Sequence, residues 1–166
     1  YVNGWGRCMS SIIRGDDNLD SATAGAGGSN SFIAKLASTQ STSQNTWTKM
    51  NMSNEAVDVG NNYANSRYTV PESGVYFVSI SVVVPSMTSA ADQAYVRVFV
   101  NGSQSGVSDT TETLTGSAAG GNNLQCQMVG LMSLTAGQYI EAYIYQSGGT
   151  RVLPVVGNSF SGFRLS

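Results

Sequence analysis

The chain has no histidine. That removes the commonest general base and the commonest transition-metal ligand from any chemistry it could perform. Serine is abundant, but no Gly-x-Ser-x-Gly elbow occurs and no imidazole is present to activate a hydroxyl. Neither a phosphate loop nor a dinucleotide fingerprint is found. Two cysteines, Cys8 and Cys126, are too few for a structural zinc site or a disulfide framework. Cys126 alternates with Leu124 and Met128, as a small buried hydrophobe would; a Cys8–Cys126 disulfide is the other reading. The carboxylates offer one cluster, Asp16, Asp17 and Asp20 around Asn18. Calcium takes several oxygen ligands, so these three are candidate calcium ligands, although they lack the spacing and glycine of an EF-hand. The alternative is a solvated turn or helix start. Asp92, Asp109 and Glu112 fall in expected loops. Nothing brings two acids together as a glycosidase would need. The sequence is therefore read as non-enzymatic, with no cofactor unless calcium.

Those side chains must be carried by strands. Alternation of apolar and polar residues dominates, and no segment has a helical period. In residues 76–84 Tyr76, Val78, Ile80, Val82 and Val84 share one face. Residues 95–100 put Val96, Val98 and Val100 together, and residues 139–146 do the same with Ile140, Ala142 and Ile144. The segment 124–134 begins Leu124, Cys126, Met128. Shorter strands are expected at 32–36, 68–70 and 160–165. Turn signals such as Asn101 with Gly102 and Ala136 with Gly137 separate them. Three tracts, SATAGAGGSNS (21–31), STQSTSQNT (38–46) and GSAAGGNN (116–123), read as loops or linkers. Residues 1–30 are thus expected to be an extension and linker, and 31–166 one all-β domain, a two-sheet antiparallel jelly-roll sandwich.

Composition narrows the partners. Of 166 residues 41% are hydrophobic and only 11% charged, with a net charge of −2. An average soluble protein has about 25% charged residues, so this surface relies on Ser, Thr, Asn, Gln and Gly. The basic residues are scattered, leaving no footprint for nucleic acid. The run Val82, Val83, Val84 stops at Pro85, far short of a membrane helix, so no membrane insertion is expected. The first residue is Tyr1 rather than Met, which fits a processed product or one part of a longer fibre.

Four motifs carry a resemblance. YTVPESGVYF (68–77) resembles the strand, Pro-x-x-Gly turn and aromatic-led strand of the complement-one-q and tumour necrosis factor superfamily. VFVNG (98–102), LMSLTAGQYI (131–140) and SFSGFRL (159–165) are similar to three later units of that family, in its order. Gly74 and Gly137 are expected at positive φ, and Gly162 under a bulky neighbour. The chain departs from the pattern at Gln138, where the family's turn has an acid. It departs again at Gln127, nearest the position where an aromatic often meets the threefold axis. The resemblance implies a homotrimer built on one sheet, through Phe77, Ser79, Ser81, Gln125, Gln127 and Val129. It also implies that strands 95–100 and 139–146 are neighbours in the other sheet, where Arg97 and Glu141 would pair amid Tyr95, Phe99, Tyr139, Tyr143 and Tyr145.

Three readings of those five aromatics stay open. The N-terminal segment, with Val2, Trp5, Met9, Ile12 and Ile13, folds over them; they form a solvent-facing girdle; or they are a ligand surface, for instance for sugar rings. The expected function is a trimeric recognition module on a virion or other extracellular surface, of the phage tail-fibre or spike receptor-binding kind. Its partners would be itself, a host cell-surface glycan or protein, or other virion proteins. The alternatives are a capsid-decorating or fibre-capping trimer and, less favoured, a secreted adhesion or signalling protein.

Overall fold

A computed structural model describes residues 30–87, 92–104 and 122–166. The alternation read above becomes strands throughout, and the described residues contain no helix. Five strands, β1 (Ser31–Lys35), β4 (Asn54–Val59), β7 (Gly74–Met87), β10 (Asn122–Leu134) and β13 (Ser159–Arg164), form one sheet in the order β10-β7-β13-β1-β4. A second sheet runs β5 (Tyr63–Ala64), β6 (Arg67–Thr69), β11 (Tyr139–Gln146), β8 (Ala94–Val100) and β9 (Ser103–Gln104), with β3 (Thr48–Lys49) also paired to β11. A two-stranded piece, β2 (Gln40–Thr42) with β12 (Arg151–Leu153), closes one side. Every ladder is antiparallel, giving the expected jelly-roll sandwich.

The core lies between the sheets. β7 shows why: its residues alternate buried and half-exposed along almost its whole length, with Tyr76, Val78, Ile80, Val82 and Val84 inside. Val96, Val98, Ile140, Ala142 and Ile144 meet them from the other sheet. One end is filled by stacked rings, Phe32 on Tyr68 at 4.4 Å with Phe160 edge-on at 4.8 Å. Cys126 is buried in this core, its thiol 3.5 Å from the Ala94 carbonyl oxygen. Burial pushes that thiol up to about 12. Cys8 lies outside the described residues.

Two local expectations change. The polar tract 38–46 is not all loop, because β2 lies within it. Thr42 is buried there, and the inward amide of Gln146 donates to its carbonyl oxygen and to that of Gly149. Gly74 is not in the left-handed region. Its need for a bare Cα is steric, since a Cβ would overlap the Ser166 carbonyl oxygen where the tail closes on β7 through Val75 N–H. The departure at Gln138 has a local function: its side-chain oxygen accepts from Thr135 N–H at 2.8 Å and closes the turn. Gly137 there has φ +84°, as expected. Asn101 and Gly102 have φ 52° and 73°, so both central residues of the β8–β9 hairpin are left-handed, as a tight primed turn requires.

Candidate functional site: two outward sheet faces

The outward face of the five-stranded sheet is built by register. β10 pairs with β7 so that Leu131, Val129 and Gln127 stand opposite Phe77, Ser79 and Ser81. β13 continues those rows with Phe163, Ser161 and Ser159, and β1 with Ser31, Ile33 and Lys35. β4 adds Val59 beside Ser31 and Val57 beside Ile33. The face therefore has an apolar end and a polar end. At the apolar end Phe77 stacks on Phe163 at 5.1 Å, and Leu131 is 60% exposed. Val59, Ile33, Val57 and Phe163 are also exposed. At the polar end Gln125 donates to the Ser81 hydroxyl at 3.4 Å. All six residues expected at the trimer interface lie on this one face. Sequence reasoning missed Ile33, Val57, Val59, Leu131 and Phe163, which only the strand order brings beside them.

The outward face of the six-stranded sheet carries the aromatics. Phe99 stacks on Tyr143 at 3.8 Å, and Tyr95 meets Tyr145 edge-on at 5.8 Å. Trp47, absent from the sequence reading, precedes β3 on the far side of β11 and leans back across it. Its ring lies 5.6 Å from Tyr145 and 5.8 Å from Phe99. Phe99 is buried as a result, while Trp47, Tyr95, Tyr143 and Tyr145 stay half-buried. Tyr139 stands apart from this cluster, under the Arg67 guanidinium at 3.6 Å.

The expected Arg97–Glu141 pair does not form. β8 and β11 register places Glu141 opposite Phe99, and Arg97 opposite Tyr143. Glu141 is instead held from the other side of β11: its Oε1 accepts from Lys49 Nζ at 2.7 Å and from Arg67 Nη2 at 2.9 Å. Burial alone would raise the Glu141 carboxyl, but the hydrogen bonds and charges of Lys49 and Arg67 outweigh it and hold it below its ordinary value. Arg97 lies against Trp47 instead, 5.2 Å from the ring centroid, a cation–π distance.

The candidate calcium ligands Asp16, Asp17 and Asp20 lie outside the described residues, as do Asp109, Glu112 and the N-terminal segment expected to cover the aromatics. Among the described residues no group of three or more acids or cysteines could hold a metal ion, and no helix is long and apolar enough to cross a membrane.

This arrangement defines a class of fold, the jelly roll of the tumour necrosis factor and complement-one-q type. The chain is similar to Eiger TNF from S. frugiperda, with 12% identity, TM-score 0.56, and 82% of this chain and 92% of that one covered. It is similar to the globular domain of zebrafish complement 1qA protein, with 13% identity, TM-score 0.56, and coverage of 82% and 98%. Murine APRIL aligns at 16% identity and TM-score 0.56, covering 81% of this chain and 98% of that one. No protein-family model matches the sequence, and no curated protein matches it.

Proposed function

We propose that the chain is a non-catalytic recognition module that trimerises through the outward face of the five-stranded sheet and meets its partner through the aromatic face of the other. The observation that carries the reading is the apolar end of the first face, where Leu131, Val59, Ile33, Val57 and Phe163 stand exposed in adjoining rows. A contiguous patch of that kind marks a protein interface rather than a solvated surface. Phe77 and Phe163 supply a stacked aromatic centre of the type that anchors interfaces. The resemblance and the shared fold favour three copies. A low charge content with a surface rich in Ser, Thr, Asn and Gly supports an exposed setting, a virion surface of the tail-fibre or spike kind.

Charge placed on the apolar end tests this reading. Leu131→Glu combined with Ile33→Glu is expected to convert the trimer to a folded monomer, read by light scattering with unchanged far-ultraviolet circular dichroism. A double variant that keeps the wild-type mass counts against the interface. A glycan array and a cell-binding assay with the isolated protein test recognition. Silence in both, together with loss of particle integrity when the chain is removed, would favour the capsid-decorating or fibre-capping role.

A further inference from the structure

The cations of the aromatic face are not equivalent. Lys49 and Arg67 share the Glu141 carboxylate. Arg97 stands among Trp47, Tyr143 and Phe99, and no described carboxylate forms an ion pair with it. Its Nε is buried with no hydrogen-bond partner among the described residues, as are those of Arg151 and Arg164, so a ligand would meet this guanidinium through its Nη atoms. A guanidinium presents a planar fork that matches the two oxygens of a carboxylate.

The surroundings define the rest of the ligand. Trp47 lies beside the guanidinium and packs on Tyr145, which meets Tyr95; all three rings are half-buried, and their exposed parts offer flat apolar area. The Tyr145 hydroxyl is tied to Asn45 Oδ1 at 3.2 Å and that of Tyr95 to Gln93 Oε1 at 2.8 Å, so both rings are held in place. Rigid rings edged by amides and hydroxyls suit the C–H faces and hydroxyls of a sugar. Among the described residues the face is also cationic: Lys49, Arg67 and Arg97 stand against one carboxylate, Glu141, in a chain whose net charge is −2. Charge complementarity thus selects an anionic partner.

We propose that this face binds a carboxylated sugar, a uronic or sialic acid unit of an acidic glycan, with the carboxylate on Arg97 and the ring on Trp47 and Tyr145. The proposal rests on the reading of this face as a recognition surface and names the class of its ligand.

Calorimetry on the full chain tests it with two matched pairs of probes: tetragalacturonate against its methyl ester, and sialyllactose against lactose. The acidic member of at least one pair is expected to bind about tenfold more tightly than its neutral partner, the worth of one charge-assisted hydrogen bond. Arg97→Gln is expected to abolish that preference while leaving the weaker neutral binding, and Tyr145→Ala to weaken both members; unchanged far-ultraviolet circular dichroism and thermal unfolding show that both variants are folded. Equal affinity within both pairs, or an acid preference that survives Arg97→Gln, overturns the proposal. Binding to neutral sugars alone overturns the carboxylate assignment and leaves the recognition surface standing. No binding to any of the four probes overturns the proposal, and the glycan array then decides separately whether the face recognises anything.

Discussion

Glu141 shows how a single buried acid ties strands of the six-stranded sheet together. It is 2% exposed, and two cations from different strands converge on one of its oxygens. Glu141→Gln is expected to lower stability at neutral pH by about 1–3 kcal/mol, because it leaves Lys49 and Arg67 without their anion. Urea denaturation at pH 7 measures this. The sign of the pH dependence follows from the lowered carboxyl. The stabilisation is complete above the unfolded value of about 4.3 and is lost as pH falls through the lower folded one. The wild type should therefore lose stability more steeply than the glutamine variant over that acid interval, and parallel profiles would contradict the assignment. Cys126 gives a second test. Burial and its raised thiol predict that it resists alkylation in the native protein and reacts on unfolding, as peptide mapping would show.

Strands were legible where they bury one face. β7, β8, β11 and the start of β10 announce themselves because two-residue periodicity reports a core on one side and solvent on the other. β4 gives no such signal, since all its residues but Asp58 are exposed, and β3 and β5 have two residues each. Trp47 escaped notice for that reason: it adjoins a polar tract, and only the pairing of β3 with β11 delivers it to the aromatic face. The Arg97–Glu141 expectation failed on register, which periodicity leaves open by steps of two. Gly162 was legible in kind, and the structure supplies its neighbours. A Cβ there would meet the Phe77 carbonyl oxygen at 2.8 Å and the Phe32 ring at 2.9 Å. Gly162→Ala is expected to cost about 1–3 kcal/mol through overpacking, measured by thermal unfolding. A neutral result would mean that β13 can move away from β7.

The sandwich as a whole presents two different outward faces. One sheet turns an apolar-to-polar gradient outward, and the other turns out rings and cations. Sequence reading placed six residues on the first face and five on the second, since each strand's outward set follows from its inward one. It could not assemble the apolar end, because Leu131, Phe163, Ile33 and Val59 come from four strands distant in the chain and adjacent only in the sheet order. In the proposed trimer the first face meets copies of itself, which leaves the second on the perimeter. Sedimentation equilibrium on the wild-type chain across a wide dilution range measures this most directly. The predicted result is a single species of three times the 17.4 kDa chain mass. A mass of one chain at every concentration would contradict it.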